Sequence, residues 1–338
     1  MKTIYTLLIG AAGGLVAWWC NLPLPWMLGP LLLITLLALC GTPTAVNKSL
    51  NRLCLGVLGF WLGSGFDPTL LSESLKWYPS LVLMVLSVSM TIVLNSLIFR
   101  KLAGLDLITS IFSSLPGTMN AVVIQGDQLG GDARWIAIAQ TLRIAMVVII
   151  TSMIFHFIPG TELEGPDPAS GQLSAVPLLL LVPLGWWVAR QIRLPMAEFL
   201  GPLICSVLLS LSGHEIQLPG WIMIVTFIVL GSSIGCRFQG TCLKQLLKVS
   251  RYAALATVLA MIIASLFAGL TSMLTGIPLS HTFLALVPGG VGEMALIATA
   301  AGIDPLYVVL IHLIRMFLLI MLTPLLCRLL SARQREVN

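Results

Sequence analysis

Long, predominantly apolar runs recur along the chain, and they restrict its fold more than any other feature. Three examples are residues 81–99, 253–274 and 307–330. Runs of about 18 or more apolar residues are typical of membrane-spanning helices. Only helices and closed barrels satisfy the backbone in lipid, and the chain lacks the period-2 alternation that a barrel requires. We therefore predict an all-α polytopic membrane protein.

The composition agrees with this class, because 58% of the residues are hydrophobic and only 9% are charged. Soluble domains carry about 25% charged residues. The net charge of +5 is spread over short loops, so we expect a lipid bilayer around the chain and no nucleic-acid partner. The seven cysteines are scattered and form no Cys-x-x-Cys pair, which predicts packing residues. We expect no cofactor and no metal.

The sequence contains an internal duplication in which paired positions keep one constant offset. The segment Leu28-Gly29-Pro30 recurs as Leu200-Gly201-Pro202, and Pro116-Gly117 recurs at the same offset as Pro288-Gly289. We call this shift, which takes position 29 to position 201, the repeat offset. Further pairs at the repeat offset are Gly59 and Gly231, Gly63 and Gly235, Phe66 and Phe238, Gly130 and Gly302, Asp132 and Asp304, and Arg143 and Arg315. Because these landmarks cover most of each half without a net gap, we predict two copies of one structural unit.

Each copy is predicted to contain five spanning helices and one broken segment. The predicted spans are residues 4–20, 25–41, 50–66, 79–99 and 134–158 in the first copy, and 172–190, 197–213, 219–236, 252–275 and 305–329 in the second. The broken segments are 104–131 and 279–303, each interrupted near its middle by Pro-Gly. The domains are then a first repeat (1–158), an external acidic linker (159–171), a second repeat (172–331) and a cytoplasmic tail (332–338).

The basic residues indicate the orientation of the repeats. If both termini are cytoplasmic and each broken segment re-enters without crossing, all 18 Lys and Arg residues except Lys76, Arg143 and Arg315 fall inside. The acidic linker then falls outside. Five spans per repeat, an odd number, make the two repeats inverted. If the broken segments crossed fully, the basic residues would segregate less cleanly, so we predict two inverted-topology repeats, each with one re-entrant helical hairpin.

Interrupted helices at equivalent positions of inverted repeats are typical of secondary transporters. The two hairpin tips would meet near the bilayer midplane, where free helix N-termini attract anions and glycine allows close approach of a ligand. A plain kink is the simpler alternative. The candidate solute-binding residues at the tips are Pro116, Gly117, Thr118, Asn120, Pro288, Gly289 and Gly290.

Arg143 and Arg315 each lie about ten residues into a predicted span, where a charge is costly and normally faces the protein interior. One interpretation is a symmetric pair of guanidinium groups that binds a carboxylate or phosphate. The other is that each arginine ties its helix to carbonyl groups of a hairpin. Both interpretations stay open.

Three residues are candidates for binding a coupling ion, either H⁺ or Na⁺. Glu293 lies beside the second tip and has Ala121 as its mate in the first copy, so it could take an ion or pair with Arg315. Ser114 could supply a neutral oxygen, and Ser113 is a similar candidate. His312 lies three residues before Arg315, although a lone membrane histidine is commonly structural.

These motifs together resemble the AbrB-type bacterial membrane protein family, also called AbrB duplication and sometimes labelled an ammonia monooxygenase. The paired Leu-Gly-Pro segments, the two Pro-Gly segments and the Asp…Arg spans carry the resemblance over nearly the whole chain. The first tip departs from a Pro-Gly-Gly pattern, because Thr118 stands where the second has Gly290. The resemblance implies an association with the regulation of gene expression. The inverted-hairpin architecture is also similar to that of 2-hydroxycarboxylate and related anion transporters.

We therefore predict an inner-membrane secondary transporter of a small, anionic solute, and we consider assembly as a homodimer. A ligand-sensing membrane protein that affects gene expression without transport is the main alternative. A membrane monooxygenase is disfavoured, because the four histidines are dispersed and form no His-x-x-x-His or Glu-x-x-His pattern. We predict that the protein is not an enzyme.

Overall fold

A computed structural model of the protein describes residues 2–65, 77–116, 119–158, 173–212 and 218–337. Within these ranges the chain forms 14 α-helices and one 3₁₀ helix, Leu173–Leu180, and no strand. The first seven helices are α1 (Lys2–Trp19), α2 (Pro25–Leu39), α3 (Lys48–Ser64), α4 (Tyr78–Lys101), α5 (Leu107–Ser114), α6 (Met119–Gln128) and α7 (Ala133–Phe157). The others are α8 (Leu181–Gln191), α9 (Ala197–Leu211), α10 (Gly220–Cys236), α11 (Leu243–Thr275), α12 (Leu279–Leu286), α13 (Val291–Ala300) and α14 (Pro305–Val337).

In the described part of the chain, four helices are long and apolar enough to cross a membrane, which confirms the predicted class of helical membrane protein. They are Tyr78–Lys101, Ala133–Phe157, and the segments Lys244–Thr275 and Pro305–Arg328 of α11 and α14. At about 1.5 Å per residue, a helix of some 24 residues exceeds the hydrocarbon thickness of about 30 Å. Most other predicted spans correspond to shorter apolar helices, such as α2, α9 and α10. The count of ten spans stays a prediction.

Helix α4 shows the distribution of side chains that a lipid environment favours. Its exposed positions include Val82, Leu86 and Val93, which are large and apolar. Its buried positions include the polar residues Thr91 and Asn95. This arrangement, with apolar side chains outside and polar side chains inside, is the reverse of a soluble helix and suits a solvent of hydrocarbon chains.

The helix boundaries follow the repeat offset that relates the two halves of the sequence. The offset takes Pro25–Leu39 onto Ala197–Leu211, Lys48–Ser64 onto Gly220–Cys236, Leu107–Ser114 onto Leu279–Leu286, and Met119–Gln128 onto Val291–Ala300. An uncommon backbone conformation repeats as well, because Leu24 and Met196 both have left-handed φ angles, 46° and 48°. Such a conformation costs a non-glycine residue about 1–2 kcal/mol, so its recurrence points to the same local constraint in both copies.

Two helices extend beyond the predicted spans at their charged ends. Helix α11 begins at Leu243, whereas the apolar pattern placed its start at residue 252. The added turns carry Lys244, Lys248 and Arg251 at spacings of four and three residues, which places the three charges on one helical face. Helix α14 likewise continues to Val337. The charged residues lower the local hydropathy, so the apolar pattern did not predict these helical turns outside the apolar part of each span.

The chain forms two compact units, and each unit contains segments of both sequence halves. Unit 1 comprises Met1–Leu75, Ile149–Gly240 and Ala295–Leu306. Unit 2 comprises Lys76–Val148, Thr241–Met294 and Tyr307–Asn338. The compact units are therefore distinct from the two copies of the duplicated sequence.

Unit 1 is held together by reciprocal contacts between the two copies. Helix α3 packs on α9, and its mate α10 packs on α2. At these crossings Gly59 lies against the carbonyl oxygen of Phe199, and Gly231 lies against that of Met27. The repeat offset interchanges the two contacts. Only glycine fits at either position, because a Cβ atom would overlap the facing backbone. The two crossings are thus related by a local two-fold pseudosymmetry.

Unit 2 is framed by α4 and α11, which pack against each other. At one end of the unit, Trp135 at the start of α7 stacks near Tyr252 of α11, with ring centroids 6.4 Å apart. The start of α5 is tied to the same end, because Asp132 donates its N–H to Thr109 Oγ1 over 2.8 Å. We call this the basic end of unit 2, and it carries Arg100, Lys101, Arg134, Lys244, Lys248 and Arg251.

The opposite end of unit 2 gathers the starts of α4, α12 and α14. Tyr307 donates its hydroxyl hydrogen to Ser80 Oγ over 2.9 Å. Thr282 of α12 donates to the carbonyl oxygen of Ala268, near the end of α11. Among the described residues of 77–82, 268–282 and 307–309, there is no lysine or arginine. In the described part of unit 2, the lysines and arginines outside the breaks are therefore concentrated towards the basic end.

Candidate functional site

The first broken helix pair, α5 and α6, is interrupted at Leu115 and Pro116. Asp106 caps α5, because its Oδ2 accepts the N–H of Thr109 over 2.9 Å. Leu115 then adopts an extended backbone with ψ 121°, as expected for a residue before proline. Pro116 has no N–H, so it cannot continue the helical bonding to the carbonyl of Phe112. The break therefore leaves carbonyl groups that need donors from elsewhere.

Gln140 and Arg143 of α7 supply those donors. The Gln140 Nε2 group donates to the carbonyls of Phe112 and Leu115, over 2.9 and 2.8 Å. Arg143 donates from Nη1 to Leu115 over 3.1 Å, and from Nη2 to Gln140 Oε1 over 2.7 Å. One amide and one guanidinium group thus replace the helical bonds that Pro116 removes.

The first break also retains buried donors without a partner. Neither Arg143 Nε nor Ser113 Oγ makes a hydrogen bond within the described residues, although both residues are at least nine-tenths buried. A buried polar group without a partner costs about 1–3 kcal/mol, and more for a charged group. Ser114, in contrast, donates to the carbonyl of Ser110 within its own helix. Two donors at this break are therefore available to a ligand.

The second broken pair, α12 and α13, is interrupted from Val287 to Gly290. Arg315 of α14 donates from Nη1 to the carbonyl of Val287 over 2.9 Å. It also donates from Nη2 to the carbonyl of Gly289 over 2.7 Å. Pro288 is buried within this break. Arg315 and Arg143 therefore hold equivalent breaks, each through a carbonyl 28 residues earlier in the chain.

His312 is fully buried and occupies the position that Gln140 has in the first copy. Its Nδ1 lies 2.9 Å from the carbonyl of Val308, which as an acceptor favours the Nδ1–H tautomer. Nε2 makes no hydrogen bond of normal geometry within the described residues, although the carbonyl of Val287 lies close to it. The imidazole ring therefore lies beside the second break, next to the carbonyl of Val287.

Glu293 lies in the first turn of α13, with its carboxylate folded back over Gly290. A Cβ atom at residue 290 would overlap Glu293 Oε2. The glycine of the second tip thus makes room for this carboxylate, whereas the first copy has Ala121 in place of the acid. The two tips differ in their chemistry at this point.

The two arginines lie close enough in unit 2 for their charges to repel each other. Their hydrogen bonds go to backbone carbonyls and to one amide oxygen, and none goes to a carboxylate of a described residue. Both side chains are buried, with exposures of 8% and 4%. Buried charges are normally paired, because taking an ion out of water costs several kcal/mol. This pair therefore forms a strongly electropositive centre suited to an anion.

Unit 2 thus brings together most of the predicted site residues that the structure describes. Pro116, Arg143, Pro288, Gly289, Gly290, Glu293, His312 and Arg315 lie at the two breaks. Gly117, Thr118 and the side chain of Asn120 lie outside the described residues. The binding role of every one of these residues stays a prediction. Each arginine ties its helix to carbonyls of a break, as the second interpretation describes, and its anion-binding role stays a prediction.

Sequence reasoning missed the central role of Gln140. It was noted only as the mate of His312, yet its side chain links two carbonyls at the end of α5 to Arg143. A polar residue three positions before each arginine is the signal that could have found it. Within the described residues, no group of three His, Cys, Asp or Glu side chains could hold a metal ion.

Comparison with known proteins identifies the family of the chain. A family model described as "Transition state regulatory protein AbrB" matches residues 3–331. YhjN of Bacillus subtilis (strain 168) is 25% identical over 354 residues, covering 96% of this chain and 92% of that protein. A candidate regulator of Escherichia coli (strain K12), AbrB, is 24% identical over 327 residues, covering 92% and 91%. With a match over nearly its whole length, including both broken helix pairs, the chain belongs to the AbrB family.

Proposed function

We propose that the protein is a multi-pass inner-membrane secondary transporter of a small anionic solute, which binds where the two breaks of unit 2 meet. The observation that carries this proposal is the pair of buried guanidinium groups, Arg143 and Arg315, whose hydrogen bonds in the described part of the chain involve no carboxylate. An anion between them would relieve their repulsion and use donors that the protein leaves free.

The geometry of unit 2 supports an inverted arrangement of two re-entrant hairpins. Helices α5 and α7 start at the basic end, whereas α12 and α14 start at the opposite end. Each arginine lies ten residues into its helix, about 15 Å from the start. Two helices that start at opposite ends then bring their arginines to similar depths near the middle. This is the geometry expected of inverted repeats around a central site.

The charge polarity of unit 2 supports a cytoplasmic location for its basic end. Clusters of Lys and Arg are retained on the cytoplasmic side of bacterial membranes. With the basic end inside, both termini are cytoplasmic and the linker 159–171 is external. We also propose that the protein assembles as a homodimer.

A ligand sensor is the second candidate function, and the name of the Escherichia coli relative favours it. A sensor would bind the same anion at the same breaks but would carry no net flux across the membrane. Binding measurements alone cannot separate the two functions, whereas flux measurements can.

The decisive experiment uses purified protein reconstituted into liposomes. A panel of acetate, succinate, citrate, sulfate and inorganic phosphate is first tested for stabilisation of the detergent-solubilised protein, because ligands that bind only the folded state raise its melting temperature. Each stabilising anion is then tested for uptake. We expect uptake by wild type and none by Arg143→Gln or Arg315→Gln. Binding without uptake would establish a sensor, and no stabilisation by any anion would refute the anion site.

A further inference from the structure

One side of helix α11 carries cationic side chains at its start and exposed aliphatic side chains directly after them. Positions separated alternately by four and three residues lie on one side of a helix. We use the name α11 face for the six such positions Lys244, Lys248, Arg251, Leu255, Val258 and Ile262. All six side chains are exposed, the three aliphatic ones to 47%, 44% and 52%. The α11 face therefore has a charged part followed by an apolar part along one helix.

Aromatic rings position two of the three cations of the α11 face. Arg251 donates from Nη2 to the hydroxyl oxygen of Tyr252 over 2.6 Å, and its guanidinium carbon lies 4.5 Å from the centroid of that ring. Lys248 Nζ lies 5.9 Å from the ring centroid of Trp135, which in turn contacts the ring of Tyr252. Contacts between cations and aromatic rings are attractive, so they favour a fixed location of these long side chains. Less entropy is then lost when a ligand binds them.

The cations of the α11 face form no ion pair with a carboxylate of a described residue. Two acids at the basic end of unit 2 cap their own helices instead. Asp132 Oδ1 accepts the N–H groups of Arg134 and Trp135, each over 3.0 Å, and Asp106 caps α5. The positive charge of the α11 face is therefore not neutralised by the part of the protein that the structure describes.

The dimensions of the α11 face match those of one phospholipid molecule. From Arg251 to Ile262 the helix rises about 16 Å, at about 1.5 Å per residue. One leaflet contributes half of the hydrocarbon thickness, which is about 15 Å of about 30 Å. The apolar part of the face thus has the length of an acyl chain, and the cations lie at the level of the headgroup.

We propose that the α11 face binds an anionic phospholipid, with its phosphate at Lys248 and Arg251 and its acyl chains along Leu255, Val258 and Ile262. Lysine and arginine bind phosphate oxygens through charge-assisted hydrogen bonds. Clusters of these residues next to a membrane-spanning helix are typical of sites for anionic lipids. This inference goes beyond the proposed transport function and does not depend on it.

Two simpler explanations account for less of the α11 face. Retention of basic residues on one side of a membrane requires only their charge, and not three cations on one helical side above an apolar row. A second copy of the chain is a poor occupant as well. In a two-fold dimer with its axis along the membrane normal, the face would meet itself at the same depth and set its cations against identical cations. The proposed homodimer therefore uses another surface.

The test compares wild type with two double variants that lose the same charge. Lys248→Gln/Arg251→Gln removes two cations of the α11 face. Lys48→Gln/Arg52→Gln is the matched control, because it removes two exposed cations from the first turns of α3 in unit 1. Thermal unfolding of the full-length protein in detergent is measured with added phosphatidylglycerol, phosphatidylcholine of the same acyl chains, or inorganic phosphate. Ligands that bind only the folded state raise the melting temperature.

We expect phosphatidylglycerol, but not phosphatidylcholine, to raise the melting temperature of wild type and of the control. In Lys248→Gln/Arg251→Gln the affinity for phosphatidylglycerol should fall about fivefold for each lost charge, or about thirtyfold in total. Lys248→Arg keeps the charge and should bind the lipid like wild type. Added NaCl should weaken binding, because it screens exposed charges. Any effect of inorganic phosphate should be the same in wild type and both double variants, because it would arise at the breaks.

Several outcomes would overturn the lipid site. One is an equal response to phosphatidylglycerol and phosphatidylcholine, and another is an equal response to phosphatidylglycerol in wild type and Lys248→Gln/Arg251→Gln. Inorganic phosphate that stabilises wild type as much as the lipid does, and loses its effect in that variant, would assign the face to a free anion. A dimeric wild type and a monomeric double variant would assign the face to a protein interface.

Substitutions of exposed side chains usually change stability little, so the double variants should fold. If Lys248→Gln/Arg251→Gln does not fold, the single variant Lys248→Gln provides the same test. Its affinity for phosphatidylglycerol should be about fivefold weaker than that of wild type. Wild-type affinity in the single variant would contradict the proposal.

Discussion

Arg315 donates a hydrogen bond of 2.9 Å to the carbonyl oxygen of Val287. Helix α12 ends directly before this residue, so the guanidinium group supplies a donor where the helical hydrogen bonding is interrupted. Arg143 makes the same bond to Leu115 in the other copy. Each arginine thus has a structural task at one break, and the repulsion between the two buried charges is the basis of the proposed anion site. The predictions that follow separate the two contributions.

The first prediction concerns the arginines themselves. Arg143→Gln and Arg315→Gln should fold but lose about 1.5–3 kcal/mol of unfolding free energy, because each removes charge-assisted bonds to carbonyls of a break. Both should also lose anion binding. Thermal unfolding of monodisperse protein in detergent measures the first effect, and uptake measures the second. If both variants bind and transport like wild type, the arginines are structural only.

The second prediction concerns Gln140, which makes three hydrogen bonds while fully buried. Gln140→Ala should lower the free energy of unfolding by about 3 kcal/mol, because it leaves two carbonyls and one guanidinium nitrogen with fewer partners. Gln140→His is the matched control, since His312 occupies this position in the second copy. The histidine variant should unfold at a temperature between those of wild type and the alanine variant; equal stability of all three would contradict the bridging role.

The third prediction concerns the pseudosymmetric crossings of unit 1. Gly59→Ala and Gly231→Ala should each destabilise the protein by about 1–3 kcal/mol, because the added methyl group meets a rigid backbone carbonyl. Their effects should be similar in size, as the two contacts are equivalent. Gly269→Ala on α11 is the control, because nothing lies within 4 Å of the added carbon. It should be neutral or stabilising by up to about 1 kcal/mol. Thermal unfolding checks all three.

The fourth prediction concerns orientation in the membrane. A single cysteine at position 164 of a cysteine-free background should react with a membrane-impermeant reagent added to intact cells. Cysteines at positions 48 and 248 should react only after the cells are opened. Reaction of either of these two positions in intact cells would rule out the inverted arrangement with cytoplasmic termini.

The fifth prediction concerns metal chemistry. Protein purified without chelators should contain no stoichiometric copper, iron or zinc, because its four histidines are dispersed in the sequence. Elemental analysis of the pure protein is the measurement. About one metal ion per chain, removed by substitution of a single histidine, would revive the enzyme hypothesis.

Sequence patterns predicted the boundaries of apolar helices well where a proline marks the start of the helix. Helix α2 begins at Pro25 and α10 begins directly after Pro219, and both starts were predicted to within one residue. The start of α11 was missed by nine residues, because Lys244, Lys248 and Arg251 lower the local hydropathy. Their spacing places them on one face of a helix, where Lys248 lies 5.9 Å from the ring centre of Trp135. A hydropathy pattern identifies the apolar part of a helix, which lies in the bilayer. It does not identify the charged turns that continue the helix beyond that part.

The spacing of residues along the sequence could predict how far along its helix each site residue lies, but not which hydrogen bonds it makes. Equal distances from the Pro-Gly segments to Arg143 and Arg315 implied that both arginines return to the breaks, and each donates a hydrogen bond to a carbonyl there. The bond from Gln140 to Phe112 was not predictable in this way, because it depends on which carbonyl Pro116 leaves free and on how α7 is rotated about its axis. The unpaired state of Ser113 depends in the same way on packing around the break, which no spacing rule describes.

The reciprocal contacts of Gly59 with Phe199, and of Gly231 with Met27, have a consequence for biosynthesis. Gly59 leaves the ribosome about 140 residues before its partner, which takes on the order of 10–30 s at typical rates of translation. During that interval the glycine face of α3 has no cognate surface within its own chain. The first half must therefore remain in the bilayer without this contact, either alone or beside the first half of another nascent chain. The second helix of that other chain has a similar Leu-Gly-Pro surface. An ancestral half-length protein would have met the same need by pairing with a second copy of itself.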